Sequence, residues 1–172
     1  MMIFEPPFIG GFFIRMNMKY RQLTKEQLES LHQEFAQFLA TQKIDVKEWA
    51  DIKTTKPELA EEELNVFSDM VWEDVLTKVE YLEHFSQKSI NLFKCDSKEV
   101  KRIVVNINKE IDLFTKEGYT WLLQNPNDNA IEYLTGNKAY TKDRNVELFE
   151  LIEKGSSISK GELFEYFSQL TS

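Results

Sequence analysis

Residue types that build small catalytic and metal sites are scarce in this sequence. Its 172 residues include one cysteine, Cys95, and two histidines, His32 and His84. A single cysteine excludes an internal disulfide and any metal site made of several thiolates. A reducing cytoplasm is therefore the expected location, and no cofactor is expected.

Glycine and proline are also few, with six and four residues. Neither Gly-x-Gly-x-x-Gly nor Gly-x-x-x-x-Gly-Lys-Ser/Thr is present, which excludes the standard phosphate-binding loops. No serine stands in a Gly-x-Ser-x-Gly setting, and Asp96 would raise the pKa of the neighbouring Cys95 thiol. These absences weigh against an enzyme, whereas 42% hydrophobic and 29% charged residues are typical of a globular protein.

The first 17 residues differ from the rest of the chain. Their first charge is Glu5, and two prolines and two glycines interrupt the apolar run. The segment therefore fits neither a secretory signal nor a membrane-spanning helix. Because polar helical sequence begins at Met18, we expect this methionine to be the natural start and residues 1–17 to be dispensable. The alternative is an apolar arm packed on the domain or on a partner. Residues 18–172 are expected to form one domain.

Three helix starts carry the same capping device, in which a side chain accepts a backbone N–H and a residue three positions later reaches back. The pairs are Thr24 with Gln27, Asp45 with Glu48, and Ser159 with Glu162. Proline and glycine positions and further caps predict additional helices from Pro57 to about Phe85, from Thr115, from Asn125 to Gly136, and from Asp143 to Gly155.

Between these helices, three short segments are rich in β-branched or aromatic residues and are separated by turn sequences. They comprise residues 90–95, 100–107 and 110–114, and they predict an antiparallel meander. Ile103, Val105 and Ile107 are expected to face the helices. The predicted fold class is α+β, with N-terminal helices, a three-stranded antiparallel β-meander and C-terminal helices.

Charge is unevenly distributed along the chain. Residues 57–83 carry nine acidic residues and one basic residue, Lys78, so the net charge of this segment equals the −8 of the whole sequence. Residues 88–109 are mainly basic. Segregated charge can steer a protein partner, so the leading hypothesis is an interaction module that docks through the acidic helix or the basic sheet. Nucleic acid is disfavoured by the overall acidity. The candidate contact residues are Glu61, Glu62, Glu63, Glu73, Asp74, Lys101 and Arg102.

A small enzyme or a metal-binding protein is the alternative. On a helix, Glu80 and His84 would lie four residues apart with Glu83 beside them, which could form one edge of a metal site. Glu29 and His32 have the Glu-x-x-His spacing of di-iron bundles, but no second pair has this spacing. The candidate metal ligands are therefore Glu80, Glu83, His84 and His32. A further alternative is an acidic inhibitor of a toxin or nuclease.

Several segments resemble an uncharacterised family of small bacterial proteins, found mainly in Bacteroidetes and described as a domain of unknown function. They are KYRQLTKEQLE, KEWADIK, VFSDMVWEDVL with EYLEH, and SKGELFEYF, and they span about residues 18–168. None is a catalytic signature, so the resemblance implies one cytoplasmic domain and no active residues. The family pattern also lacks the first 17 residues, which agrees with a start at Met18.

Overall fold

The computed structural model describes residues 17–172. The expectations for residues 1–17 therefore lie outside the described residues, except at Asn17. The chain divides into two compact units, one ending at Asp69 and the other comprising Met70–Ser172. The expectation of one domain over residues 18–172 stays a prediction. No helix within residues 17–172 combines the length and the apolar character that crossing a membrane requires.

The first unit consists of three helices and the first part of a fourth. They are α1 (Lys25–Ser30), α2 (His32–Thr41), α3 (Val46–Thr55) and α4 (Pro57–Lys78). The helix that begins at the Thr24 cap is short, because Leu31, whose φ is −104° and ψ is 23°, separates α1 from α2. α4 begins at its proline because the fixed φ and the missing N–H suit the first helical position.

Two of the predicted capping boxes are present in this unit. The Thr24 hydroxyl accepts the Gln27 N–H at 3.2 Å, and Gln27 Oε1 accepts the Thr24 N–H at 2.9 Å. Asp45 and Glu48 make the same reciprocal exchange at the start of α3. Each exchange satisfies backbone donors that a helix terminus otherwise leaves without an intrahelical partner.

Aromatic rings form the centre of the first unit. Phe35 of α2 contacts Trp49 of α3 and Phe67 of α4, with ring centroids 5.2 and 5.0 Å apart. The chain before α1 is fixed by a hydrogen bond in which the Leu23 N–H donates to Ser68 Oγ at 3.0 Å. Because Ser68 is fully buried, this bond satisfies a polar group that would otherwise be costly to enclose.

The second unit is built on a five-stranded antiparallel sheet with strand order β4-β3-β2-β1-β5. The strands are β1 (Tyr81–Phe85), β2 (Ser89–Cys95), β3 (Glu99–Ile107), β4 (Ile131–Ala139) and β5 (Ser157–Ser159). Three helices lie between or after the strands, namely α5 (Lys116–Gln124), α6 (Arg144–Glu153) and α7 (Glu162–Thr171).

One face of this sheet carries the apolar core of the second unit. Alternating residues of β2 and β3 are buried there, namely Ile90, Leu92, Ile103, Val105 and Ile107. Helices α5 and α7 contribute Leu122 and Phe167, neither of which is exposed to solvent. The predicted inward orientation of the three β3 residues is confirmed.

The prediction of a three-stranded meander was correct only in part. β2 and β3 occupy the first two predicted segments, residues 90–95 and 100–107. Residues 110–114, predicted as the third strand, form a turn instead, because Asp112 Oδ1 accepts the Phe114 N–H at 2.9 Å. An aspartate that bonds the backbone two residues later favours a turn over strand pairing.

Two segments predicted as helix are strands. Residues 81–85 form β1, which pairs with β2 on one side and with β5 on the other. Residues 131–139 form β4, which pairs with β3 along its full length. In both segments, pairing with other strands of the sheet overrides the local sequence signals that predict a helix. The sheet therefore has five strands, and helices are interspersed with them.

The third predicted capping box, Ser159 with Glu162, is wrong, because Gly161 occupies the cap position of α7. This glycine has φ +84°, in the left-handed region, and no side chain caps the helix. The Ser159 hydroxyl instead accepts the Gly161 N–H at 3.0 Å. The chain therefore enters α7 through a backbone conformation that few residues other than glycine adopt.

We predict that Gly161→Ala lowers the free energy of unfolding by about 2–4 kcal/mol, through left-handed strain and overpacking. A β-carbon at this position would lie 2.5 Å from Cδ2 of Tyr81. The control is Gly136→Ala, where a β-carbon would have no heavy atom within 4 Å. Urea denaturation of both variants checks the prediction, and equal losses of stability would contradict it.

Candidate interaction surface

The residues proposed as metal ligands in the second unit do not converge. Glu83 and His84 are neighbours in β1, so their side chains point to opposite faces of the sheet. The predicted helical spacing of Glu80 and His84 was wrong, because α4 ends at Lys78 and a strand follows. Burial raises the pKa of Glu83, against a hydrogen bond from Ser159 that lowers it. These side chains therefore form no shared ligand set.

The remaining metal candidate, His32, lies on an exposed helix surface. Its Nδ1 lies 3.0 Å from the backbone oxygen of Glu29, so the ring contacts the main chain at the end of α1. Among residues 17–172, no group of three histidine, cysteine, aspartate or glutamate side chains stands close enough to hold a metal ion.

The single thiol is unsuited to nucleophilic chemistry. Cys95 lies at the end of β2 and is buried. Burial raises the pKa of its thiol to about 12, and the charge of Asp96 adds to this, whereas the Arg144 guanidinium lowers it. Because the thiolate is the reactive form, this cysteine is a core residue.

Acidic candidates in the first unit are bonded within the chain. Glu61 accepts a hydrogen bond from the side-chain amide of Gln22 at 3.0 Å. Glu63 accepts one from the side-chain amide of Gln42 at 2.7 Å. Burial raises the pKa of Glu63. The hydrogen bond from Gln42 lowers it, and the charge of the nearby Glu62 raises it further. Two of the three carboxylates thus help to hold the loops around α4.

Acidic candidates in the second unit are bonded as well. Glu73 accepts a hydrogen bond from Asn145 Nδ2 at 3.1 Å, and this asparagine is buried. Asp74 forms an ion pair with Lys78 one turn later on α4, at 2.8 Å. The acidic helix therefore presents less uncommitted charge than its sequence indicates.

The basic candidates of the sheet do not form one patch. Lys101 and Arg102 are consecutive in β3, so they point to opposite faces. Lys101 Nζ lies 3.3 Å from a carboxylate oxygen of Asp96. Arg102 lies over the ring of Phe93 at 5.7 Å and donates to Asn91 Oδ1. Phe93 is buried beneath this arginine, so it offers no stacking surface for a base.

Strand β4 is the longer edge of the sheet, with nine residues against three in β5. Two contacts beyond its ends fix its hydrogen-bonding phase: the Asn108 N–H donates to the Ala130 carbonyl, and the Tyr140 N–H donates to the Lys98 carbonyl. Bonded and non-bonded pairs alternate in an antiparallel ladder. The even-numbered residues of β4 therefore direct their N–H and C=O groups at β3, and the odd-numbered residues direct theirs outward.

The outward backbone groups form an open hydrogen-bonding edge. They belong to Tyr133, Thr135, Asn137 and Ala139, and no backbone bond from elsewhere in the described part of the chain reaches them. The surrounding side chains are largely exposed, including Leu134 at 49%. A long edge strand without proline is a template for pairing with another strand.

Comparison with known proteins adds a family to this geometry. The model of a family of unknown function, DUF6495, matches residues 18–172. The chain belongs to this family. The matched range contains all the segments on which the resemblance was based, which confirms the predicted recognition. No curated protein and no solved structure matches the chain.

Sequence reasoning missed a heavily bonded side chain of this DUF6495 protein, Arg144. Its guanidinium donates to the carbonyl oxygens of Leu76, Cys95 and Asp96 at 3.0 Å each, and also to that of Val79. The arginine thereby joins the end of α4 to the end of β2. No sequence signal marks it, because the carbonyls it bonds lie 48 to 68 residues away.

A second missed cluster ties α7 of the DUF6495 fold to the sheet. Glu165 Oε1 accepts hydrogen bonds from Tyr81 Oη at 2.7 Å and from Lys94 Nζ at 3.0 Å. The bond from Tyr81, with that from Lys94, lowers the pKa of Glu165, and the bond to Glu165 raises the pKa of Lys94. These two hydrogen bonds therefore connect α7 to strands β1 and β2.

A groove of about 540 Å³ lies between the end of α4 and β5. Val75, Val79 and Ile158 supply apolar lining. Of the candidate metal ligands in this unit, Glu80 lines the groove, whereas Glu83 and His84 do not. The polar part of the lining consists of carboxylates, lysines, Tyr81 and Ser159, with no histidine or cysteine.

Proposed function

We propose that this protein is a protein-interaction module that accepts a partner strand at the β4 edge. The observation that carries the proposal is the row of outward N–H and C=O groups on β4, which other segments of the described chain leave open. Adding a strand to an exposed sheet edge is a recurrent mode of protein recognition.

The two edge strands of the sheet differ in length, which supports β4 as the docking edge. β5 has three residues, which is the short type of edge that natural sheets use to avoid pairing. β4 is three times as long and carries exposed side chains on both faces of its second half. A partner strand would therefore gain a full ladder at β4 and little at β5.

The charged residues contribute to recognition in this proposal without forming the docking surface. Most of the acidic and basic candidates hold internal hydrogen bonds or ion pairs, so their role is to steer an approaching partner. The proposal also places the protein in the cytoplasm, where the free thiol of Cys95 is the expected state.

Photo-crosslinking in native cells tests the proposal. A photoreactive side chain replaces Leu134 on β4 or, as the control, the apolar and more exposed Val46 on α3. We expect an adduct from position 134 and none from position 46. Thr135→Pro should abolish the adduct because it removes an outward N–H, whereas Thr135→Val keeps that N–H and should retain the adduct.

Two results would contradict the proposal. One is the absence of any adduct at position 134. The other is an adduct that persists unchanged in the Thr135→Pro background. Circular dichroism of the purified variants verifies that the proline leaves the sheet intact, as expected for an N–H that does not bond β3.

A further inference from the structure

We infer that the strand docking on the β4 edge is β4 of a second copy of this chain, paired antiparallel about a two-fold axis at Thr135. The inference rests on the proposed function and names its partner. Three properties of β4 carry it: the phase of its outward backbone groups, the order of its charges, and the open space above Gly136.

The backbone phase fits this pairing. A two-fold axis at Thr135 places this residue opposite its own copy, Tyr133 opposite Asn137, and Ile131 opposite Ala139. These are the odd-numbered residues, whose N–H and C=O groups point away from β3; the Ile131 N–H already donates to the Asp128 carbonyl, so the pairs of residues 133, 135 and 137 carry the ladder. Opposed residues that point at each other exchange both hydrogen bonds in an antiparallel ladder. The two edges therefore meet in bonding phase and join two sheets into one.

The charges of β4 fix the same register. A two-fold axis at Thr135 sets Glu132 of each copy opposite Lys138 of the other, and these are the charged residues of Ile131–Ala139. The smallest shift that keeps the bonding phase is two residues. Such a shift moves Glu132 opposite Gly136 or Tyr140 and loses both pairs. Opposite charges facing each other across strands stabilise a sheet, so one register is favoured.

An apolar contact on the same face completes the match. Leu134 lies opposite Gly136 of the second copy in this register. Half of the leucine is exposed, and a β-carbon at Gly136 would have no heavy atom within 4 Å. Each leucine can therefore lie across the glycine of the other copy, which removes apolar surface from water.

The charged side chains of β4 have long contacts within their own chain. Lys138 Nζ lies 3.6 Å from Glu147, and the lysine side chain is 66% exposed. Asn106 Nδ2 lies 3.4 Å from Glu132 Oε2. Both distances exceed those typical of strong hydrogen bonds, so these contacts compete weakly with a pair formed across the two-fold axis.

Charge exchange on the purified full chain tests the inference by sedimentation velocity. The wild-type chain should sediment as a dimer at concentrations at which Thr135→Pro is a monomer. Glu132→Lys or Lys138→Glu alone sets like charges opposite each other twice per dimer, and each should weaken dimerisation about tenfold or more. Combining the two changes should restore near-wild-type affinity. Lys160→Glu, beside the other edge strand, is the control and should leave dimerisation unchanged.

Disulfide trapping reports the register directly. Thr135→Cys chains should form linked dimers on oxidation, because directly opposed α-carbons in a bonded pair lie about 5.5 Å apart, within disulfide reach. Glu132→Cys chains should not, because position 132 lies opposite position 138 rather than its own copy. The native Cys95 is buried and does not interfere.

A monomeric wild-type chain, or a double charge exchange no better than either single change, overturns the inference. Its failure is distinguishable from that of the proposed function. If the chain is monomeric and position 134 cross-links to a protein of different mass, the second-copy inference fails and the interaction module stands. If position 134 yields no adduct at all, both fail.

Discussion

Replacing Phe167 by alanine is expected to lower the free energy of unfolding by about 3–5 kcal/mol, the usual cost of removing a buried aromatic ring. Phe167 is 0% exposed and lies at the centre of the core between α7 and the sheet. Its ring centroid lies 5.0 Å from that of Tyr166 and 5.8 Å from that of Tyr133 on β4. The change leaves a cavity that these neighbours can fill only in part.

The matched control lies one turn further along the same helix. Leu170 lies three residues after Phe167 and is 40% exposed. Leu170→Ala should therefore cost about 1 kcal/mol or less, since surface substitutions have small effects. Urea denaturation of both variants measures the difference. Equal costs, or a loss below 1 kcal/mol for Phe167→Ala, would show that α7 does not close the core.

Helix termini were predictable because their physics is local. The hydroxyl of Thr24 and the carboxylate of Asp45 each bond a backbone N–H three residues later, so four residues of sequence suffice to recognise the motif. The end of α6 is equally local. Gly155 adopts φ +111°, and its N–H and that of Ser156 bond carbonyls in the last turn, as a left-handed glycine cap requires.

Strands β1 and β4 were not predictable in this way because each pairs with a strand distant in sequence, although β1 also pairs with the adjacent β2. Tyr81 pairs with Ser159, and Ile131 pairs with Ile107, across chain segments that no local window contains. The buried face of a helix is also not predictable from local sequence. Val66 and Met70 of α4 have the four-residue spacing of a buried helix face, yet they are 42% and 49% exposed. Their spacing along the helix identifies a face, but it does not tell which face meets the core.

The candidate contact residues illustrate the limit for function. Sequence reveals that Glu63 and Lys101 are charged, but it does not reveal that Gln42 and Asp96 lie beside them. A charge that already has a close partner of opposite sign presents less uncompensated charge to an approaching protein. The edge of β4 escaped notice because an edge is a property of the assembled sheet. The positions of its two charged residues, Glu132 and Lys138, can be interpreted only after the register with β3 has fixed which backbone groups face outward.

Arg144→Met should lower the free energy of unfolding by about 3 kcal/mol or more. The methionine keeps much of the side-chain volume but removes every donor. The carbonyls of Leu76 and Val79 at the end of α4, and those of Cys95 and Asp96, then lose hydrogen bonds in a half-buried site. Each carbonyl left without any partner costs about 1–3 kcal/mol, and the sum is reduced because Leu76 keeps the Val79 N–H and Asp96 keeps the Tyr140 hydroxyl as donors.

Two matched variants separate the contribution of the guanidinium geometry from that of the positive charge and from that of a single hydrogen bond. Arg144→Lys retains the positive charge near the helix C-terminus but cannot reach the same carbonyls, so it should recover only a minor part of the loss. Tyr140→Phe removes one hydrogen bond, that from Tyr140 Oη to the Asp96 carbonyl, and should cost about 1 kcal/mol. Thermal and urea unfolding check this order. Full recovery with lysine would mean that charge, rather than the geometry of the guanidinium, holds α4 to the sheet.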